Sequence, residues 1–563
     1  MPIIRDRAEL AHVDRVPQLF LETYWPRETP GGLYRPLTLA SYALDWAVWG
    51  SDPAGGPRRL GVHVGNLALN AVASLLVFAL LRARSAAELA AFCGAALFAV
   101  HPVHVEAVSH MVGRADLLMT AFFLAACWLH PRGPRARVAA AGTALLACLS
   151  KEMAVVLPGV LFADAWLARA PRESPSAFAR RQARELAPCT AALAVFLTLR
   201  GVALGASLDP PVPFAWWGPP QYLAFQQPAT GEVALTMTHA LGEILRLLFA
   251  PFALSADYSG FPHATSLTLP VALSALALAA AIAAVVFAAR RGATEPAFWA
   301  LWLGLTWLPV SNLLFPSGVL LAERTLFLPS VALAGWAAWA LAPLLARDRR
   351  ALALPLAATA GLAALTAARA PLWRDPRTLF EATVAHGRYS GPIAKSGLVA
   401  DMIGELDRNP DDRALRERAL ALARASLDER ATATNLSQVA LLEEESGMLE
   451  SALQRRGALY QILPSDEENR DALFRLLGAL VARREDAGDT AQALGLTGMA
   501  YLVAQQSGDA ERLAEWRPRL EHAFQRWVEE AVAAGDREEV HRRLESLAKV
   551  FPQHPLLERY RDF

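Results

Sequence analysis

The stretch HPVHVEAVSHMVGRADLL, residues 101–118, sets three histidines, a glutamate, an arginine and an aspartate between two apolar segments. Ionisable groups at membrane depth are costly unless they face a cavity or a partner, so such a string marks a working site. Outward from it, about ten apolar runs lie between residues 60 and 370, each near the length that crosses a bilayer. The chain therefore reads as a polytopic helical membrane protein with a polar working face.

Composition divides the chain. Hydrophobic residues make up 54% and mean hydropathy is +0.26, yet 54 basic residues balance 54 acidic ones. That much charge does not fit a uniformly membranous chain. Beyond about Arg369 no apolar run reaches span length, and Arg, Glu and Asp alternate with Leu and Ala at helical spacing. The expected organisation is an external loop with an interfacial helix over 1–60, a multi-span membrane domain over 61–370 and a soluble helical-repeat domain over 371–563. Zero net charge argues against nucleic acid as a partner. No dinucleotide-binding glycine fingerprint or P-loop occurs, so a nucleotide-sugar domain is unsupported. Cys93, Cys127, Cys148 and Cys189 all fall in or beside apolar stretches, which suits buried packing better than disulfides or zinc.

The expected spans are 61–81, 88–104, 114–130, 136–150, 153–168, 186–205, 267–289, 296–314, 324–344 and 351–368. Arginines at 82 and 84, at 132, 135 and 137, between 169 and 184, at 290 and 291, and between 347 and 350 fall in alternate loops, which makes those loops cytoplasmic. The alternation holds only if 233–258 does not cross, and its interior Glu243 and Arg246 fit an interfacial or re-entrant helix.

Four polar strings then emerge on the opposite side: LYRPLT (33–38), HPVHVEAV with GRADLL, SKE (150–152) and SNLLFPSGVLLAERTLFLPS (311–330). In this order, followed by LWRDPRTLFEATVA, they resemble the transmembrane-and-TPR-containing protein O-mannosyltransferases and their bacterial relatives, within the type C glycosyltransferases. The resemblance implies an all-α fold, a polytopic domain followed by TPR-like repeats. It also implies an inverting membrane glycosyltransferase that takes a sugar, mannose-like by analogy, from a polyprenyl-phosphate carrier to a protein hydroxyl outside the cytoplasm. No cofactor is implied beyond the lipid-linked donor, and a divalent metal is left open. The partners implied are that donor, membrane lipid and a protein or peptide acceptor, in a bacterial cytoplasmic membrane with the repeats outside.

A departing phosphate is stabilised by fixed cations, which points to Arg35, Arg114, Lys151 and Arg324. Tyr34, His101, His104, Glu106, Asp116, Glu152 and Glu323 complete the expected substrate-binding set. Arg35 could instead snorkel to headgroups, Arg324 could pair with another membrane charge, and Lys151 and Glu152 could be structural. His101, His104 and Glu106 invite a metal, but helical spacing puts His101 and His104 on one face while Glu106 falls away, and Pro102 disfavours a regular helix through His101, so hydrogen bonding or a structural cluster competes with that reading. Relatives place a span and paired acidic residues, the presumed general base, before a segment like PIIRDRAEL, with which this sequence opens. The resemblance therefore leads us to expect the family's acidic pair upstream of Met1, and Asp6 is the nearest candidate for the base within the sequence. The loop 206–232, with PPVPFAWWGPPQYLAFQQP, could line an acceptor groove or anchor at the interface, and Asp257 and Tyr258 share that ambiguity.

In residues 435–466, Ala440, Gly447, Ala452 and Pro464 fall at the small, turn and terminating positions of a tetratricopeptide repeat. A looser copy follows around Gly478 to Ala493, with amphipathic segments at 411–426 and 508–550. Such arrays hold extended protein segments. The competing readings are a non-catalytic scaffold that gathers partners through its repeats and, less well matched to charges gathered on one side, a transporter. The orientation is testable: alkaline phosphatase fused after residue 400 is expected to be active, and fusions near Arg135 or Arg181 inactive. An inactive fusion after the last span would reverse the topology.

Overall fold

A computed structural model describes residues 7–24, 33–53, 55–84, 86–170, 172–204, 230–314 and 319–561. Among these the secondary structure is helical apart from one isolated bridge between Ser51 and Pro57. Two compact units divide at Leu398 and Val399, inside the helix Pro392–Leu406.

In the first unit, five helices are long and apolar enough to cross a membrane: Arg59–Ala83, Met111–Arg132, Pro175–Ala203, Leu269–Arg290 and Arg349–Arg374. Glu88–Ala99 and Pro102–Ser109 form a sixth candidate, bent by 46°. The protein is a multi-pass membrane protein. The ten spans expected from hydropathy need correction, because several apolar runs are helical over only part of their length. Pro134–Ser150 stops where Lys151 turns extended. The run 153–168 is a 3-10 turn, Glu152–Val156, followed by the helix Leu157–Leu167. The run 296–314 is helical only over Thr294–Trp307, ahead of Pro309, and 324–344 becomes α-helical only at Val331, after Pro329. Proline removes a donor and clashes with the preceding turn, so Thr294–Trp307 ends ahead of Pro309 and Val331–Arg347 starts only after Pro329, whereas no proline stands at the Ser150–Lys151 break. Within 1–60, where an interfacial helix is expected, Val13–Leu21 is a 3-10 helix with Pro17 inside it.

At each break the polar string supplies its own structure. Pro102 disfavours helix at His101, whose φ of −66° and ψ of 128° are extended. The backbone carbonyls left over there are taken up by side chains: Asn70 donates to Ala99 O at 3.2 Å and Thr366 to Val100 O at 2.7 Å. Such groups have no water to turn to in a bilayer core. The helix Thr230–Phe249 runs unbroken up to Pro251 and is not among the helices apolar enough to cross.

Met111–Arg132 is the buried centre of this unit, with Phe123 edge-on to Trp302 at 5.5 Å. Gly94 lets Glu88–Ala99 approach the backbone of Val331–Arg347 so closely that a Cβ would strike the Ala334 carbonyl. Leu269–Arg290 and Arg349–Arg374 bury almost none of their apolar surface within the protein, as lipid-facing helices do. All four cysteines are buried and free.

The second unit is a succession of helical hairpins. Ala433–Glu445 starts with a capping box between Thr432 and Asn435 and turns at Gly447, φ 76°, into Leu449–Ile462. Ala440 and Ala452 are fully buried. Glu467–Asp486 pairs with Thr490–Ser507, and Ala510–Ala534 with Arg537–Val550. A Gly-Asp dipeptide recurs at 488–489, 508–509 and 535–536, the glycine left-handed and the aspartate capping the next helix. Whole-chain neutrality hides an asymmetry: residues 399–563 carry 22 basic and 31 acidic side chains, residues 1–398 carry 32 and 23.

The Gly-Asp turns give a stability prediction. Asp509 accepts the Arg512 N–H at 3.0 Å, and Asp509→Ala should cost about 1 kcal/mol. Gly508→Val, at φ 67°, should cost at least as much, about 1–2 kcal/mol. Denaturant unfolding followed by helical circular dichroism checks both, and an unchanged midpoint for either variant contradicts the assignment of that turn.

Candidate functional site

The polar strings meet where the short helices end. Arg35 precedes the helix Pro36–Trp49, Lys151 and Glu152 follow Pro134–Ser150, and Glu323 and Arg324 lie in the turn before Val331–Arg347. Thr38 ties two of these breaks by donating to the Ser150 carbonyl at 2.9 Å.

Three cation–carboxylate pairs result. Arg35 grips Glu152 bidentately, Nε at 2.9 Å and Nη2 at 2.5 Å, with its guanidinium 5.1 Å from the Tyr24 ring. Lys151 Nζ lies 2.6 Å from Asp116, both deeply buried. Arg324 binds Glu106 twice, through Nη1 and through its backbone N–H at 2.9 Å. The pairs form one electrostatic group, since Lys151 is within reach of Arg35 and Arg324, and both arginines are within reach of Asp116. Burial alone would raise the Glu152 carboxyl, but the charge and hydrogen bonds of Arg35 hold it down at about 2.

Access differs among them. The Arg324 side chain is 28% exposed and that of Glu152 34%, against 7% for Lys151. Arg324 Nε and Nη2, and Arg35 Nη1, make no hydrogen bond among the described residues. These open donor edges are what an incoming anion can use.

The structure gives other expected residues different work. Arg114 turns away from this group: Nε donates to Asn66 at 2.8 Å, Nη2 to Val62 O at 2.7 Å, and Nη1 pairs with Asp45. With its guanidinium committed to Asn66, Val62 and Asp45, Arg114 braces helices, and its donors face the protein. Tyr34 is buried and donates to Phe20 O at 2.8 Å, so its hydroxyl is also spent inside the protein. Glu323 is fully buried, pairs with Arg369 at 2.8 Å and accepts from Tyr258 at 2.8 Å. Burial pushes its carboxyl up to about 7, against the pull of Arg369.

His101 meets Leu248 O at 3.0 Å, His104 meets Ser330 Oγ at 2.8 Å between the rings of Phe98 and Phe327, and Glu106 is taken by Arg324. Among the described residues no group of His, Cys, Asp and Glu is arranged to hold a metal. The expectations placed at Met1, at Asp6 and on most of the aromatic loop 206–232 lie outside the described residues, which begin at Arg7.

Sequence reasoning missed Asp45, Asn66, Tyr258 and Arg369 as partners. Asp45 had a usable signal, an ionisable residue inside the apolar helix LTLASYALDWAVW. Arg369 had none, because it reads as an ordinary basic residue at the end of a span.

The distinction between brace and open edge is measurable. Arg114→Met strands buried Asp45 and should destabilise the fold by about 3–5 kcal/mol, while the double change with Asp45→Asn should recover much of that. Thermal unfolding of the purified variants checks it, and a wild-type transition for Arg114→Met would contradict the brace.

No family model matches the chain, and no solved structure does. It is 28% identical over 405 residues to the protein O-mannosyl-transferase Tmtc3 of Drosophila melanogaster, covering 58% of this chain and 42% of that protein. Similarity to protein O-mannosyl-transferase F38B6.6 of Caenorhabditis elegans is 29% over 328 residues, 56% and 44% of the two chains. A 95-residue stretch, 17% of the chain and 10% of the relative, is 41% identical to Tmtc1 of Drosophila melanogaster. The chain thus spans less than half the length of the first two relatives. Together with the helical membrane architecture, these matches make the chain a distant homologue of the protein O-mannosyl-transferases.

Proposed function

We propose that the protein is a membrane glycosyltransferase that moves a sugar, mannose-like by analogy with its relatives, from a polyprenyl-phosphate carrier to a serine or threonine hydroxyl. The arginine alternation supports a reaction outside the cytoplasm, in a bacterial cytoplasmic membrane. The observation that supports this reading most is Arg324, 28% exposed, with the more buried Arg35, 13% exposed, each held by a carboxylate on one edge and keeping on another a donor that makes no hydrogen bond among the described residues. A polyprenyl-phosphate sugar is an anion at the membrane surface, and planar donor forks suit its phosphate.

In the inverting transfer, the acceptor oxygen bonds to the anomeric carbon as the bond from that carbon to the carrier phosphate breaks. The electron pair leaves with the polyprenyl phosphate, and the acceptor's proton passes to a base. Arg35 and Arg324 stabilise charge that grows on the phosphate as the bond breaks, so they lower the barrier and not only the dissociation constant. Glu106, Asp116 and Glu152 are each engaged by a cation, and a carboxyl held near 2 is a weak proton acceptor. This pairing supports reading the described residues as the donor half of a site. The same pairing favours a second reading, a scaffold that gathers partners through its helical repeats.

Transfer of labelled sugar from a polyprenyl-phosphate donor to a Ser/Thr peptide, by the full chain in nanodiscs, tests the proposal. Arg324→Ala is placed in a Glu106→Gln background so that no buried carboxylate is left unpaired. Turnover should fall about a hundredfold or more relative to Glu106→Gln alone, the scale of one lost oxyanion donor. Arg324→Lys should rescue it in part. Full turnover in the folded alanine variant would remove Arg324 from the reaction, and a wild-type chain without transfer would favour the scaffold.

A further inference from the structure

Glu323 and Arg324 are consecutive in one 3-10 turn, Glu323–Leu326, and their side chains have different partners. Arg324 pairs with Glu106, while Glu323 is sealed into a second polar group with no exposure at all. Its Oε1 accepts the Ser255 N–H at 2.7 Å and the Tyr258 hydroxyl at 2.8 Å, and its other oxygen lies 2.8 Å from Arg369. The loop carrying Ser255 and Tyr258 is clamped in turn. Ser255 Oγ donates to Asp257 O at 2.5 Å, and Asp257 Oδ1 accepts the Ser259 N–H at 2.7 Å. Asp257 Oδ2 accepts two more, from Gly391 at 3.0 Å and Ala394 at 2.9 Å, so it caps the start of the helix Pro392–Leu406. Gly260 N–H donates to Tyr389 O at 3.1 Å, and a Cβ on Gly391 would run into the backbone at Ser259 and Gly260. Ser255, Asp257 and Tyr258 are all buried.

We propose that Asp257, Tyr258 and Glu323 are positioning residues for Arg324, and that they couple its place in the site to the backbone segment 387–394. The segment and the loop both belong to the first unit. Apolar packing could fill the same space but would not fix a direction, whereas each hydrogen bond here sets the orientation of the next group. The turn is too short to absorb a displacement of Glu323 before it reaches the Arg324 backbone, whose N–H is held by Glu106 at 2.9 Å. A pull on residues 387–394 therefore reaches the cation through Asp257, the 255–258 loop and Glu323. This inference rests on the donor-phosphate role of Arg324.

The test uses the full chain in nanodiscs with two readouts, amide hydrogen exchange in peptides covering 322–330 and affinity for a polyprenyl phosphate without sugar. Asp257→Asn must turn its amide NH2 toward either Ser259 N–H or the Gly391 and Ala394 N–H pair, so one set of these bonds is lost, and the path is broken when it is the Gly391 and Ala394 pair. Tyr258→Phe removes one oxygen, keeps the ring, and decides the matter where Asp257→Asn does not fold. Asp375→Ala, which removes the cap that accepts the Thr378 N–H at 2.8 Å, is the control off this path. Exchange at 322–330 should rise about tenfold in the first two variants, the scale of one buried hydrogen bond to a charged group, with affinity falling by a similar factor. Asp375→Ala should change neither. Unchanged exchange at 322–330 in the folded variants would overturn the coupling, as would an equal rise with Asp375→Ala. If exchange rises as expected but the wild-type chain does not bind polyprenyl phosphate, the coupling stands and the donor reading falls.

Discussion

Arg324 and Glu106 are 218 residues apart in the chain, and their pairing closes the polar face of the membrane unit. Neither could be left alone there, because an unpaired buried charge costs several kcal/mol and a low-dielectric surround offers little to solvate it. The same demand is met by Arg35 with Glu152, Lys151 with Asp116, Arg114 with Asp45 and Arg369 with Glu323. Each pair joins elements distant in sequence, so satisfying the charges also fixes the order in which helix ends gather.

Helix termination makes that gathering possible. A continuous helix satisfies its own backbone and presents side chains to lipid, but a broken one leaves carbonyls and N–H groups that must find partners within the protein. Pro102 and Pro309 follow helices that stop short of full span length, Pro329 precedes one that starts late, and the polar strings beside them are what the breaks require. Asn70 and Thr366 cap the carbonyls at Ala99 and Val100. Irregular backbone at this depth is therefore a consequence of building a polar site, and its cost is offset by side chains from neighbouring spans.

Much of this was legible beforehand, and the limits have a physical cause. Prolines and ionisable residues inside apolar runs are local signals, so the location of the polar face, the helical class and the hairpin turning at Gly447 could be read from residue types. Pairing is not local. Arg114 and Arg324 both sit in polar strings beside apolar helices, and nothing in either string says that one is spent on Asp45, Asn66 and Val62 while the other keeps an open edge. Hydropathy also overestimated the spans, since it counts apolar residues on both sides of a proline as one run. Glu323 and Arg324 stand side by side in the sequence, and only the turn geometry separates an inward carboxylate from a partly exposed guanidinium.

The distribution of arginine and lysine within the group follows from their chemistry. A lysine ammonium is a compact charge, and Lys151 is buried against Asp116, where one carboxylate neutralises it. A guanidinium spreads its charge over several donors, so one edge can be held by a carboxylate while another meets a ligand. Arg35 and Arg324 use that property: Glu152 and Glu106 hold them in place without occupying every donor. An arriving phosphate then adds contacts without first breaking a pair, and the carboxylates keep the cations from repelling one another when no anion is bound. Lysine at either position keeps the charge and three donors but gathers them on one nitrogen, so it lacks separate edges for its anchor and the phosphate, and charge alone replaces the arginine only in part.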